Sequence, residues 1–404
     1  MERIFKFSVF YLLAWLIVPP IRVGSEWRIL FCLCFAIFLF QTFQIQIRRI
    51  THLCVPFLGF IGFIGMTFVR GEFSDVNFWV NFIRVFVFFS FATVYVYYQD
   101  QGFERFRPLF LPIIFILSIF NITTIGALLR DPEICRIMAT GTDLSMSSRY
   151  STIDLLLSGG FPYVYNAVFI TPLLCSVALL RKTVGLEKVV LIVCVVSSVV
   201  MVSLAGFSIG VLLLFLGFLL LLVNRYLSWF SLCVFFTLLW GVFVVCRGFL
   251  YEMALAFAGE NEFYIAKIEA IFNPTTAGNE LDGRVAIWMT SLKSFFSNPI
   301  IGGGSAGGHS AILDYLGMYG IFVGGAMVWT MFFPIVVEYK RMKQIGRHGL
   351  VVLFSVILLG GLLLNPLQFQ YAAVIFILFP YVCEHYYLNA RLKPVVMQKK
   401  QNIR

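Results

Sequence analysis

VVLIVCVVSSVVMVSLAGFSIGVLLLFLGFLLLLV, Val189 to Val223, contains no charged residue. A helix rises about 1.5 Å per residue, so roughly 20 apolar residues cross the hydrocarbon core of a bilayer. The stretch therefore reads as two membrane spans, 187–205 and 208–223, back to back across a short turn. The rest of the 404 residues has the same character: 60% are hydrophobic, only 12% are charged, and the mean hydropathy is +0.92. A soluble domain of this size needs far more charge to cover its surface. The fold class expected is an all-α polytopic membrane protein, one integral membrane domain over 1–404.

Further apolar runs stand at roughly 5–21, 28–46, 53–69, 78–98, 107–128, 162–180, 228–246, 310–336, 349–364 and 367–387, which makes about 12 transmembrane helices. An even number puts both termini on one side, and the charges choose the side. Arg48, Arg49, Arg105, Arg107, Arg181, Lys182, Lys188, Arg225, Lys340, Arg341, Lys343, Arg347 and the basic tail fall in alternate loops. With Arg3 and Lys6 these are 19 of the 30 Lys and Arg. Basic residues concentrate in cytoplasmic loops, so both ends are expected inside. The same bias explains the net charge of +10 without any nucleic-acid partner. The N-terminal MERIFKF run lacks a small-x-small cleavage site and reads as an uncleaved first helix. No P-loop or dinucleotide fingerprint is present, and the nine cysteines include no CxxC pair, so neither a nucleotide-driven machine nor a metal centre is expected. Cys135 alone stands in a polar loop.

Two long loops, 129–161 and 247–309, remain on the outer side, and functional residues concentrate in such segments. The second ends in NPIIGGGSAGGHSAILDYLGMYG, Asn298 to Gly320. His52, His348 and His385 fall beside cytoplasmic basic clusters, whereas His309 is the only outer histidine, with Ser310 after it as a helix N-cap. Gly302, Gly303, Gly304, Gly307 and Gly308 would let backbone amides approach a ligand, or make a tight turn and nothing more. Upstream, Asn279 to Pro299 reads as an amphipathic helix lying in the interface, with Val285, Trp288, Met289, Leu292 and Phe296 on its apolar face and Asp282 as its N-cap. Arg284 stands in its first turn, where the helix dipole disfavours a cation, so a counter-anion is expected: Asp282, Glu280 or a bound phosphate. In the first loop, Arg149 precedes Gly160, which opens the sixth helix.

Arg284-x-x-x-Trp288, Asn298-Pro299-x-x-Gly302-x-Gly304, His309-Ser310 and Leu316-Gly317-x-Tyr319-Gly320-Ile321, in that order, resemble the bacterial O-antigen polymerase and ligase superfamily. The spacing from Arg149 to Gly160 resembles that of Wzy-type polymerases. The likeness covers the whole chain in topology and mainly 284–321 in sequence. Two departures stand out: LAGFSIG, Leu204 to Gly210, lacks the arginine many relatives carry there, and the ligases' His-Asn is His309-Ser310 here.

The resemblance implies a GT-C-like glycosyltransferase of the bacterial inner membrane, acting in lipopolysaccharide biosynthesis with its site facing the periplasm. It would transfer a glycan from undecaprenyl pyrophosphate without metal or other cofactor. Arg284 and Arg149, with Arg247 at the end of the ninth helix, would then hold the pyrophosphate, and Arg84 within the fourth helix would face the lipid phosphate or snorkel. His309 would serve as base or orienting partner for the acceptor hydroxyl. Asp314, about 140° round the helix, would orient the site, act as base, or serve packing. The implied partners are the lipid-linked oligosaccharide, membrane lipid and a polysaccharide chain-length regulator. The alternatives are a ligase that passes finished glycan to lipid A core, and a lipid-linked oligosaccharide flippase.

Overall fold

The computed structural model describes residues 2–18, 25–71, 76–132, 134–135, 158–179, 183, 185–259, 265, 268–269 and 280–385. These residues are helical, with no strand among them. In chain order they form α1 (Glu2–Ile17), α2 (Ser25–Arg48), α3 (Ile50–Arg70), α4 (Val76–Gln101), α5 (Arg107–Arg130), α6 (Phe161–Ala178), α7 (Gly185–Leu204), α8 (Ser208–Leu222) and α9 (Trp229–Ala258). Then follow α10 (Glu280–Ser297), α11 (Ala311–Tyr319), α12 (Gly325–Lys343), α13 (Gly349–Leu364) and α14 (Tyr371–His385). A π-helical turn, Gly320–Gly324, joins α11 to α12 without a break, and another interrupts α14 at Val374–Leu378. Seven helices are long and apolar enough to cross a membrane, counting α11 with α12 as one. Among the described residues, each apolar run marked in the sequence coincides for most of its length with a helix.

Burial sorts the helices into centre and rim. Over its most apolar stretch α6 is 83% buried inside the bundle, against 28% for α3 and 33% for α2 and α7. Rim helices leave large apolar side chains bare, among them Phe40, Phe43, Val69, Leu212 and Phe230. In water such a surface would aggregate; in hydrocarbon it is the expected exterior. α13, α14 and the second half of α4 join α6 at the centre, where Tyr98, Phe91, Phe354 and Phe376 are sealed from solvent. Small residues set the closest approaches: a Cβ on Gly217 would stand 2.6 Å from Pro172, and one on Gly361 2.3 Å from Phe169. Dispersion packing through small residues is how helices associate where the hydrophobic effect is absent.

Two boundaries differ from expectation. α9 continues to Ala258, twelve residues past the end of the apolar run, because Glu252 is the only charge after Arg247 and no Pro or turn signal intervenes before Gly259. Arg247 is therefore in mid-helix. α10 starts at Glu280, so Asp282 lies inside the first turn and is not its N-cap.

Candidate functional site

α10 and α11 are joined by the glycine-rich segment 298–310, and the contact between them is made by hydroxyls and bare backbone. Ser291 and Ser294, three residues apart on α10, share one helical face and are almost fully buried. Ser291 Oγ donates to Asp314 Oδ1 at 2.7 Å and accepts from the Gly307 amide at 2.9 Å. Ser294 Oγ donates to the Gly317 carbonyl at 2.9 Å and accepts from the Ser305 amide at 3.1 Å. Each serine thus ties a loop amide to α11. The approach is too close for side chains: a Cβ on Gly317 would stand 2.6 Å from the Ser291 carbonyl, and one on Gly307 2.2 Å from that of Ile287. The opposite face of α10, with Val285, Met289 and Phe296, is exposed. The apolar stripe therefore faces away from the protein, and the seam is made by the small polar residues.

Asp314 is the centre of the arrangement. Its buried carboxylate accepts from Ser291 Oγ, from the Gly308 amide at 3.2 Å and from the Ser310 amide at 3.0 Å. Those amides flank His309. The carboxylate forms no hydrogen bond or ion pair with the imidazole among the described residues; it fixes the backbone that carries it. Hydrogen bonds to a charged acceptor contribute about 1.5–3 kcal/mol each, so the loop is held firmly. Ser310 caps α11, accepting from the Leu313 amide at 3.3 Å, and the Ala311 amide donates to the Asn365 carbonyl at 2.9 Å, anchoring α11 to the segment before α14. His309 itself is exposed and makes no side-chain hydrogen bond among the described residues. The result is an exposed imidazole on a loop held by its backbone. The amides of Gly303, Ser305, Gly307, Gly308 and Ser310 are all spent within the protein, so these glycines serve close packing more than an anion cradle.

Arg70, the last residue of α3, was not singled out from the sequence, yet it clamps the loop from below. Its guanidinium donates to the carbonyls of Met318 at 2.8 Å, Ile301 at 2.9 Å and Gly302 at 3.2 Å, and lies 5.9 Å from the centre of the Tyr319 ring. The available signal was its place as a cation ending an apolar run on the same side as the loop. Gly302 and Gly320, both at positive φ, make the turn possible: a Cβ on Gly320 would stand 2.3 Å from the Ile300 carbonyl.

The candidate arginines are distributed unevenly. Arg284 falls in the first turn of α10, so it belongs to the same unit as His309, although only its backbone is described. Trp288, one turn later on the same face, has a buried indole N–H with no acceptor among the described residues. Arg149 lies outside the described residues. Arg247 is exposed on α9. Arg84 is half-buried on α4, donates to Asn81 Oδ1 at 3.2 Å, and has a buried Nε with no acceptor.

No family model matches the chain, and a search of curated proteins finds no significant match.

In the first loop, Cys135 is fully buried beside Ile134, and its thiol donates to the Gly159 carbonyl at 2.9 Å. Burial pushes that thiol up to about 12, so Cys135 is a structural group and no nucleophile. Among the described residues no cluster of His, Cys, Asp or Glu is placed to hold a metal ion.

Proposed function

We propose that the chain is a membrane glycosyltransferase that polymerises undecaprenyl-pyrophosphate-linked O-antigen repeat units. In this proposal it spans the bacterial inner membrane twelve times, with both termini cytoplasmic and the His309 loop facing the periplasm. One observation carries the proposal: Asp314 pins the backbone on both sides of an exposed histidine and ties it to the helix that bears Arg284. A free imidazole on a fixed loop beside an arginine helix suits proton transfer next to a phosphate leaving group.

In the reaction, the acceptor sugar's hydroxyl oxygen attacks the anomeric carbon of the donor glycan, and the bond from that carbon to the pyrophosphate oxygen breaks. His309 takes the hydroxyl proton as the general base. Undecaprenyl pyrophosphate leaves with the bonding electron pair. Its developing charge is met by Arg284 and Arg149, with Arg247 as a further contact, in place of a metal. Asp314 acts as a positioning residue through the loop backbone. A chain-length regulator is the expected protein partner.

A deletion strain complemented with wild type, Arg284→Ala or His309→Ala tests this through its surface-polysaccharide ladder. Restoration of long chains by wild type alone, on a background of lipopolysaccharide capped by a single repeat unit, is the expected outcome. Bare core with accumulated lipid-linked polymer in the deletion would make the chain a ligase instead. Full restoration by both variants would remove the catalytic assignment.

A further inference from the structure

α6 and α7 pack directly against each other, yet at the end of α6 they leave an open cleft of about 230 Å³. The side chains that α6 supplies there are mostly small: Cys175 and Ala178, with Leu179 just past the helix end. Across the cleft stand Lys188, Ile192, Val195 and Val196 of α7, spaced at i, i+4, i+7 and i+8 and so on one helical face. They cover about 12 Å along the axis, close to the roughly 15 Å that one leaflet contributes to the hydrocarbon core. The walls are apolar, and Lys188, at one end, is the only charged residue lining them.

Lys188 is exposed and forms no ion pair among the described residues. No acid stands three or four residues from it along α7, where a helical partner would be. Glu187 is half-buried and points about 100° away round the helix. In sequence, Arg181 and Lys182 come just before, so three bases stand here against one acid. The cleft is also remote from the His309 loop. Phe161, at the start of α6, meets Phe207, just before α8, edge-on at 5.1 Å. A Cβ on Gly349, the first residue of α13, would meet the carbonyl of Asn224, just past the end of α8. α13 therefore runs antiparallel to α8 and ends beside the starts of α8 and α6, where Asn365 accepts from the Ala311 amide. The end of α6 lies at the opposite end of the bundle.

We infer that the α6–α7 cleft binds an anionic phospholipid, one acyl chain lying along α7 and the head-group phosphate on the Lys188 ammonium. A neutral apolar guest would leave the ammonium unanswered, and a soluble anion would leave the apolar walls uncovered; an anionic amphiphile satisfies both. Surrounding lipid tails are as apolar as the cleft, so the tail gains only close packing there. Selection among lipids must come from the head group, and basic sites between membrane helices suit anionic heads. The site stands on the cleft and its charge; only its assignment to the cytoplasmic leaflet rests on the topology proposed above. Lying at the other end of the bundle, it is separate from any lipid-linked donor at the His309 loop.

The test is native mass spectrometry of the detergent-purified full chain, titrated with phosphatidylglycerol and with phosphatidylcholine of the same acyl chains. Lys188→Gln should weaken binding of the first phosphatidylglycerol about fivefold, the worth of one basic residue at a membrane surface, and leave phosphatidylcholine unchanged. Val196→Trp places an indole in the cleft from an exposed position and should weaken both lipids about tenfold. Val193→Trp, also exposed on α7 but outside the cleft, should change neither. Phosphatidylglycerol binding unmoved by Lys188→Gln overturns the head-group contact, and binding unmoved by Val196→Trp overturns the cleft as the site. A lipid-free dimer that Val196→Trp dissociates would make the occupant a second copy of the chain and overturn the lipid.

Discussion

Two groups of buried ionisable side chains stand at opposite ends of the bundle, and they are built on opposite principles. Near one end, Glu338 on α12 and Glu384 on α14 are both buried, and Arg341 pairs with each, at 3.8 Å from Glu338 and in direct contact with Glu384; Tyr95 donates to Glu338 at 3.4 Å. There each charge has an opposite charge beside it, so the set is closed in charge, although Glu338 Oε2 has no hydrogen-bond donor among the described residues. Toward the other end, about 16 Å back along α4, Arg84 pairs with no carboxylate among the described residues, and its buried Nε has no acceptor among them. Asp314 on α11 is saturated by neutral amides and a serine. A closed set has no need of a ligand, whereas an open one is most stable with something bound. The contrast separates a structural anchor from a place where chemistry is expected.

The largest effect expected from this comparison is on stability. Arg341→Ala strands two buried carboxylates and should cost about 3–5 kcal/mol, read as a marked fall in the melting temperature of the detergent-solubilised chain. Arg84→Gln removes a charge that nothing compensates, so without ligand it should leave the melting temperature unchanged or raise it. Equal losses in the two variants would break the comparison, since Arg84 would then be satisfied in a way its surroundings do not show.

Asp314→Asn is next. An amide keeps one acceptor oxygen but turns an NH2 toward backbone amides that need acceptors, at a cost of about 2 kcal/mol. The loss should be local: faster hydrogen exchange at Gly307, Gly308 and Ser310, whose amides lead to Ser291 and Asp314, with the bundle helices unchanged. Transfer activity should fall through kcat while substrate affinity holds. An intact loop with lost activity would instead give Asp314 a direct chemical role.

How much of this could be read from the sequence follows from the physics of each signal. The apolar runs fall on helices because continuous apolarity over 16 or more residues has few other solutions, and Ser310 and Gly160 lie at the helix starts expected of them. The amphipathic helix was legible as a helix, but its packing face was not. In a lipid setting the apolar stripe marks the outward side, and Ser291 and Ser294, which look like polar surface, make the seam. Arg70 was missed because its partners are carbonyls of a distant loop, which carry no side-chain signature. For Asp314 the sequence left three roles open, orienting the site, acting as base or packing, and the structure routes that acid to the backbone on either side of His309.

Cys135 offers the smallest effect and a check on the middle ground between the two ends, a buried group that is neutral and satisfied. At neutral pH Cys135→Ala should cost about 1 kcal/mol for the lost hydrogen bond and the small void. The pH dependence has a definite sign. Burial raises the folded thiol to about 12 from an ordinary value of 9.0. The unfolded chain therefore loses this proton first, and the group's contribution is complete below pH 9 and declines as pH rises toward 12. The stability gap between wild type and Cys135→Ala should narrow over that interval, and thiol labelling of the folded chain at this position should stay slow up to about pH 9. A gap that holds constant from pH 8 to 11 would mean the thiol is open to solvent. The first loop would then be no part of the packed structure, and the distinction between closed and open groups would extend only to the charged ones.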